Sequence, residues 1–383
     1  MNIRPAADTL TGTLWLSPGL SAPHSLRSTR RPLACRVTAG QNAAALPGLL
    51  ASLFNLCAHA HRLCSRLAID AAAPAFLGQH PDSPAAALRR ETASEHVRRI
   101  SLDWPRLLAP TGTTADASGV IQNLRACPLL NTPAKEPVDW SAVHDWLQTQ
   151  WLDMAPATWL RAWRACGRDW LDDWSYRGKH WLPSLLRHVK AKDIALPLDT
   201  APTLSLAAQP DALLELGRLL DRHGDDFVTS PRWHGRCAHT GTWSRLNDTS
   251  ALRPGSAWTL LGSRIAELIC LCLPQGDQWL QWGALPTGDN QGLAWVEMAR
   301  GLLVHQVSLE RHNDGSAHVR ACQVLAPTEW NFHPEGVAAQ ALAGLPAHQD
   351  DTDAKAHLLM AAFDPCIPFR LDSAAAHEEV LHA

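Results

Sequence analysis

From Leu49 onward, apolar side chains fall at positions 49, 53, 56, 60, 63, 64 and 67, the spacing of one helical face. Pro47-Gly48 lies before this segment and Pro74 beyond it. Residues 85–104 predict a second helix, charged on one side (Arg89, Arg90, Glu91, Glu95, Arg98, Arg99) and ending at Pro105. Polar and apolar residues alternate over 8–16, as in a half-buried strand, until Pro18, Gly19 and Pro23 break the pattern. Residues 110–138, rich in Thr, Pro, Ala and Gly, predict a long loop. Tryptophans crowd the next segment, and those at 159, 163, 170, 174 and 181 advance by steps that place them along one helical face. Such a stripe suits core packing, with the indole N–H groups bonded nearby, better than a ligand platform. In the C-terminal third, 258–273 reads as an apolar helix or a strand pair. The runs 302–309 and 317–325 read as strands joined through Asp314-Gly315, and a last helix covers about Thr352 to Ala362. These elements predict a mainly helical α+β protein.

The chain of 383 residues is long enough for one large core or two ordinary ones. A net charge of −3 and a pI near 6.7 offer no footprint for nucleic acid or an anionic membrane. No run of about 18 apolar residues predicts a membrane span. Arg30-Arg31 resembles a twin-arginine export signal, but Arg36, Gln41, Asn42 and Pro47 interrupt any apolar stretch after it, which rejects that reading. The 10 cysteines are scattered along a long chain, unlike a secreted disulfide framework, so a reducing cytoplasm is the expected compartment.

Among those cysteines, Cys57 and Cys366 have neighbours that suggest chemistry. Cys57, in Leu56-Cys57-Ala58-His59-Ala60-His61, falls just before or within the first turn of a helix, where free N–H groups favour a thiolate. Cys366 follows Pro365, which suits a rigid turn presenting one sulfur. A zinc site built from Cys57, His61 and Cys64, with His59 adjacent and Cys366 as a further ligand, is a rival. Ordinary exposed or satisfied imidazoles are the better account of His59 and His61. Cys270 and Cys272 read as core, and Asp172-Asp173 and Asp225-Asp226 as solvated charges. No phosphate-binding glycine loop or G-x-S-x-G elbow occurs.

Cys57 and Phe363-Asp364-Pro365-Cys366 resemble the two metal-binding motifs of nickel–iron hydrogenase large subunits, each of which supplies a pair of cysteines. The resemblance extends to Glu297-Met298-Ala299-Arg300-Gly301-Leu302 with His305, to Pro327-Thr328-Glu329-Trp330-Asn331 with Pro334, and to Ala341-Leu342-Ala343-Gly344-Leu345-Pro346. Pro231-Arg232-Trp233-His234-Gly235 with Gly241 and Arg245 matches more loosely. The likeness is strong over about residues 230–372 and moderate over 50–70. Departures are equally informative. Ala60 and Phe369 stand where the second cysteines belong, Cys64 and Asp372 where the trailing histidines belong, and His239 replaces a glutamate. Thr11-Gly12-Thr13 stands in place of Glu-Gly-His, whose glutamate relays protons.

With half the thiolates and no relay, a catalytic hydrogenase is not expected. The combination is similar to the HupK/HoxV type of hydrogenase-formation protein. That resemblance implies one reduced large-subunit-like domain over 1–383, divisible into 1–109, 139–229 and 230–383. It also implies an assembly scaffold that transiently holds iron with cyanide and carbonyl ligands on Cys57 and Cys366, and binds no stoichiometric nickel. Arg300 would face the cyanides, its rival role being a salt bridge to a carboxylate such as Glu297. The implied partners are a hydrogenase large subunit precursor and small maturation chaperones, with no nucleic acid and no membrane. A residual metal-dependent enzyme and a metal-free pseudo-subunit that binds chaperones are the alternatives.

Overall fold

The computed structural model describes residues 12–78, 83–109, 124–206, 209–248, 250, 252–347 and 351–372. Two sheets organise it. Strands β1 (Leu14–Leu16) and β2 (Leu26–Ser28) form a small sheet with β7 (Phe369–Leu371), in the order β2-β1-β7. Within it β1 runs parallel to β7, Leu14 opposite Phe369, so the two ends of the described chain are stitched together. Strands β3 (Trp282–Gly288), β4 (Gln291–Met298), β5 (Gly301–Arg311) and β6 (Ala317–Leu325) form an antiparallel meander in sequence order. The β5–β6 hairpin matches the expected strands, whereas β3 and β4 were not legible as strands.

Strand β5 is buried on both faces from Gly301 to Leu309, which explains its nearly continuous apolar run. The helix Ala58–Ala72 covers one face of the meander, and the helix Pro210–Thr229 packs a second, smaller core against the other. Gly292 of β4 sets the first approach: a Cβ there would lie 2.1 Å from the Ala68 carbonyl oxygen. Gly292→Ala is therefore expected to cost roughly 1–3 kcal/mol by forcing that helix off the sheet. A lower urea midpoint checks this, and an unchanged one would mean that the packing is slack.

Several predicted elements change shape. The periodic segment after Leu49 is two helices, Leu46–Leu53 and Ala58–Ala72, meeting at 104° through the short turn Asn55–Cys57. Phe54 leaves the helical region (φ −115°, ψ 60°), and Cys57 sits at the resulting corner. The charged helix Pro84–Arg98 does not stop at Pro105: a π-turn (Arg99–Asp103) leads into Trp104–Leu108, whose first turn tolerates proline. Part of its charge faces inward, with Arg89 and Glu95 each 4% exposed, while Arg98 is exposed. Of the predicted loop, 110–123 lies outside the described residues, and Pro128–Asn131 is a short helix.

The tryptophan stripe is divided among Pro156–Cys166, Arg168–Arg177 and Trp181–Lys190, broken at Gly167 (φ 52°), so it is not one helical face. It is core all the same: Trp159 stacks on Trp163 and meets Trp174 edge-on. The Trp174 indole donates to the Leu152 carbonyl, but those of Trp151, Trp159, Trp170 and Trp181 find no acceptor among the described residues, contrary to expectation. The apolar stretch near Trp258 is one buried helix, Ala257–Cys272, and the last helix is Thr352–Phe363. No single described helix is long and apolar enough to cross a membrane.

Candidate metal centre

Cys57 occupies the N-cap position of the helix Ala58–Ala72 without bonding to it. The N–H groups of His59 and Ala60 instead donate to the two oxygens of Glu91, at 2.6 and 2.9 Å. The helix end is thus already satisfied by a carboxylate from the neighbouring helix. Burial pushes the Cys57 thiol well up, with the Arg300 charge acting against it. The expected helix-favoured thiolate is accordingly not the resting form: desolvation outweighs a helix terminus whose donors are spent. Burial also raises Glu91 to about 6, against the hydrogen bonds it accepts.

Cys366 reaches the same place from the other end of the chain. The helix Thr352–Phe363 ends where Asp364 turns left-handed (φ 54°, ψ 70°), and Pro365 leads on to Cys366, three residues before β7. The Cys366 sulfur accepts from Arg30 Nη1 at 2.8 Å and lies 3.0 Å from the Thr328 hydroxyl. Arg30 stands two residues beyond β2, so the pairing of β2 and β7 with β1 brings it to Cys366; its Nε pairs with Glu329 at 2.8 Å.

Arg300 projects from the tight β4–β5 connection, where Gly301 (φ 133°) has no room for a Cβ beside Thr240. Its Nη2 donates to Glu95 at 2.5 Å and its Nε to the Asp364 carbonyl oxygen at 3.1 Å. Its Nη1 is buried with no acceptor among the described residues. Burial opposes ionisation of Asp364, but Arg300, Arg264 and Arg99 together hold it down at about 2. Glu297 is not the partner of Arg300; it accepts the N–H groups of Leu246 and Gln281.

Cys57, Cys366, Arg30 and Arg300 line one cavity of about 920 Å³. Of the other residues of the zinc reading, His61 also borders this cavity, whereas His59 and Cys64 do not line it. Cys64 donates to the Ala294 carbonyl at the helix–sheet contact. His61 stacks on Phe54 and bonds His305 at 3.0 Å. His59 contributes its backbone N–H to the Glu91 cap. Cys270 and Cys272 are buried core residues, as expected. Thr11 lies outside the described residues; Asp372 borders the cavity and accepts from Ser17.

Arg30, Glu91, Glu95, Thr328 and Asp364 were missed as site residues. Thr328 and Asp364 stand inside the motif segments, Glu91 and Glu95 on the charged helix, and Arg30 was weighed solely as half of an export signal. The sulfurs, the cations facing them and the carboxylates behind those cations are the residue types that could hold a soft metal carrying anionic ligands.

No family model matches the chain. Over 393 aligned residues it is 38% identical to the hydrogenase expression/formation protein HoxV of Cupriavidus necator, covering 98% of each chain. It is 31% identical to the hydrogenase expression/formation protein HupK of Bradyrhizobium diazoefficiens, covering 94% of this chain and 95% of that one. Among solved structures, the Ni-Fe-Se hydrogenase of D. vulgaris Hildenborough in the reduced state superposes with a TM-score of 0.51 at 13% identity, over 89% of this chain and 92% of that chain. In its as-isolated oxidized state the same enzyme gives 0.50 at 14% identity, over the same shares. At such identity the likeness carries the fold alone: the α+β architecture of hydrogenase large subunits. The full-length match to HoxV and HupK makes this chain a member of the HoxV/HupK family of hydrogenase expression/formation proteins.

Proposed function

We propose that this protein acts in nickel–iron hydrogenase maturation, holding an iron ion with cyanide and carbonyl ligands between Cys57 and Cys366 until it passes to the large subunit precursor. It turns over no substrate of its own. The observation that carries this reading is the convergence of two cysteines from opposite ends of the chain on one cavity with Arg300. The relatives' role as expression/formation proteins supports the maturation setting.

Two thiolates bind iron softly enough for release, where four would retain it. The Nη1 of Arg300, without an acceptor among the described residues, is a charged donor suited to a cyanide nitrogen, and Arg30 supplies a second cation beside Cys366. Both thiols must lose their protons to bind metal, so retention of the fragment weakens as pH falls. The precursor and small maturation chaperones are the partners, in the cytoplasm.

The test is infrared spectroscopy and metal analysis of protein purified without oxygen from cells that assemble a hydrogenase. Cyanide and carbonyl stretches with near-stoichiometric iron and no stoichiometric nickel are expected, together with no hydrogen-dependent dye reduction. Stoichiometric nickel with such dye reduction would overturn the reading.

A further inference from the structure

A second cluster of ligand-type side chains lies outside the site just described. Cys237, His333 and Glu335 place a sulfur, a ring nitrogen and a carboxylate oxygen within 4.8 Å of one another. Cys237 directly follows the Trp233–Arg236 turn, and His333 and Glu335 lie in the segment after the short helix Pro327–Asn331. Cys237 and Glu335 border a cavity of about 300 Å³, separate from the large one, together with Arg232 and Arg236. His333 is 2% exposed, Cys237 half-buried and Glu335 open to solvent.

Hydrogen bonding settles the histidine tautomer. The Glu335 backbone N–H can only donate, and it points at His333 Nδ1 from 3.1 Å. That nitrogen therefore carries a lone pair, and Nε2 carries the hydrogen, which it donates to Ser230 Oγ at 2.7 Å. The same lone pair faces the Cys237 sulfur at 3.2 Å, near the separation of nitrogen and sulfur on one tetrahedral metal, and an ion bound there takes the lone pair over from the Glu335 N–H, which turns to water in the small cavity. A hydroxyl on the far nitrogen is the support that metal-bound histidines commonly have. Arg232 pairs with one oxygen of Glu335 and leaves the other available. Its charge also acts against the burial that raises the Cys237 thiol.

We propose that Cys237, His333 Nδ1 and Glu335 form a binding site for a divalent ion of the zinc class, with water from the small cavity in the fourth position. One sulfur, one imidazole and one carboxylate suit zinc, cobalt or nickel and not magnesium or calcium. Thiolate and carboxylate together balance the double charge of the ion. The site shares a wall with the proposed iron site: Ser230 and Pro334 line the large cavity, on either side of His333 in space and in sequence respectively.

The probe is cobalt, whose bond to thiolate gives a strong near-ultraviolet charge-transfer band. The full chain carrying Cys57→Ala and Cys366→Ala is used, so that failure here is distinct from failure of the iron scaffold. One equivalent of cobalt is expected to produce the band, and zinc to displace it. Adding Cys237→Ala should abolish it, and Ser230→Ala should weaken binding roughly tenfold. Zinc should also protect Cys237 from iodoacetamide, read by peptide mass spectrometry. No band at one equivalent, a band undiminished by Cys237→Ala, or alkylation of Cys237 indifferent to zinc would each overturn the proposal.

Discussion

Cys57→Ala or Cys366→Ala is expected to abolish retention of the iron fragment while leaving the protein folded. A single remaining thiolate cannot chelate, so iron content and the cyanide and carbonyl bands should both fall to background. Stability should change by about 1 kcal/mol, because each change deletes one sulfur from the wall of an existing cavity. The loss at Cys366 is buffered further, since Arg30 keeps its pairing with Glu329 when the sulfur is gone. Circular dichroism and a urea midpoint near the parent's value supply the folding control. The yield of mature hydrogenase should drop in cells that carry either variant. Bands of undiminished strength in the double variant would sink the two-cysteine site.

Arg300→Ala should be far more damaging to the fold. Its guanidinium bonds Glu95 and the Asp364 backbone deep in the protein, and it is itself 2% exposed. Removing it leaves Glu95 short of a partner and strips Asp364 of its largest stabilising charge, a loss on the order of 3 kcal/mol. The effect has a pH signature. Asp364 is held at about 2, below its unfolded value, so its contribution is fully present above about pH 4 and is lost as pH falls toward 2. In the variant the folded value moves toward the unfolded one, so that acid limb should shrink and end at higher pH. Arg300→Lys restores charge but not the fork that bonds two carboxylate-bearing residues and still offers a third nitrogen. It should recover part of the stability and little of the iron retention. A variant as stable as the parent and retaining its infrared bands would remove Arg300 from both roles.

How much of the centre could be seen beforehand depended on the kind of interaction. Cys57, Cys366 and Arg300 stand in segments whose local order resembles a known family, and they were identifiable one by one. Glu95 and Glu91 sat in plain view on a charged helix. Periodicity alone could not say whether that face met water or the interior, because the pattern of charges is the same in both cases. Arg30 was invisible for another reason: its role comes from β2 and β7 flanking β1, a pairing between chain ends that no local window contains. The same limit applies to Cys237 and His333, neither of which was singled out as a ligand.

The zinc reading of Cys57, His61 and Cys64 failed for a reason of backbone geometry. Residues spaced by four and seven share a face only if one helix carries them all. The helix carries His61 and Cys64, but Cys57 caps it in a non-helical conformation (φ −137°, ψ 43°) and so does not continue their face. The tryptophan stripe made the converse point, keeping its buried character although Gly167 divides it between helices.

Local order thus determined the apolar helices, the β5–β6 hairpin, the family likeness and the absence of the second cysteines, since each depends on neighbours along the chain. Tertiary structure alone decided which charges enter the interior, which cation meets Cys366, and that Glu91 rather than Cys57 satisfies the helix end. Those outcomes depend on desolvation and on contacts between distant segments. Both are properties of the packed molecule, in which burial raises the cost of every unpaired charge and so dictates the pairs that form.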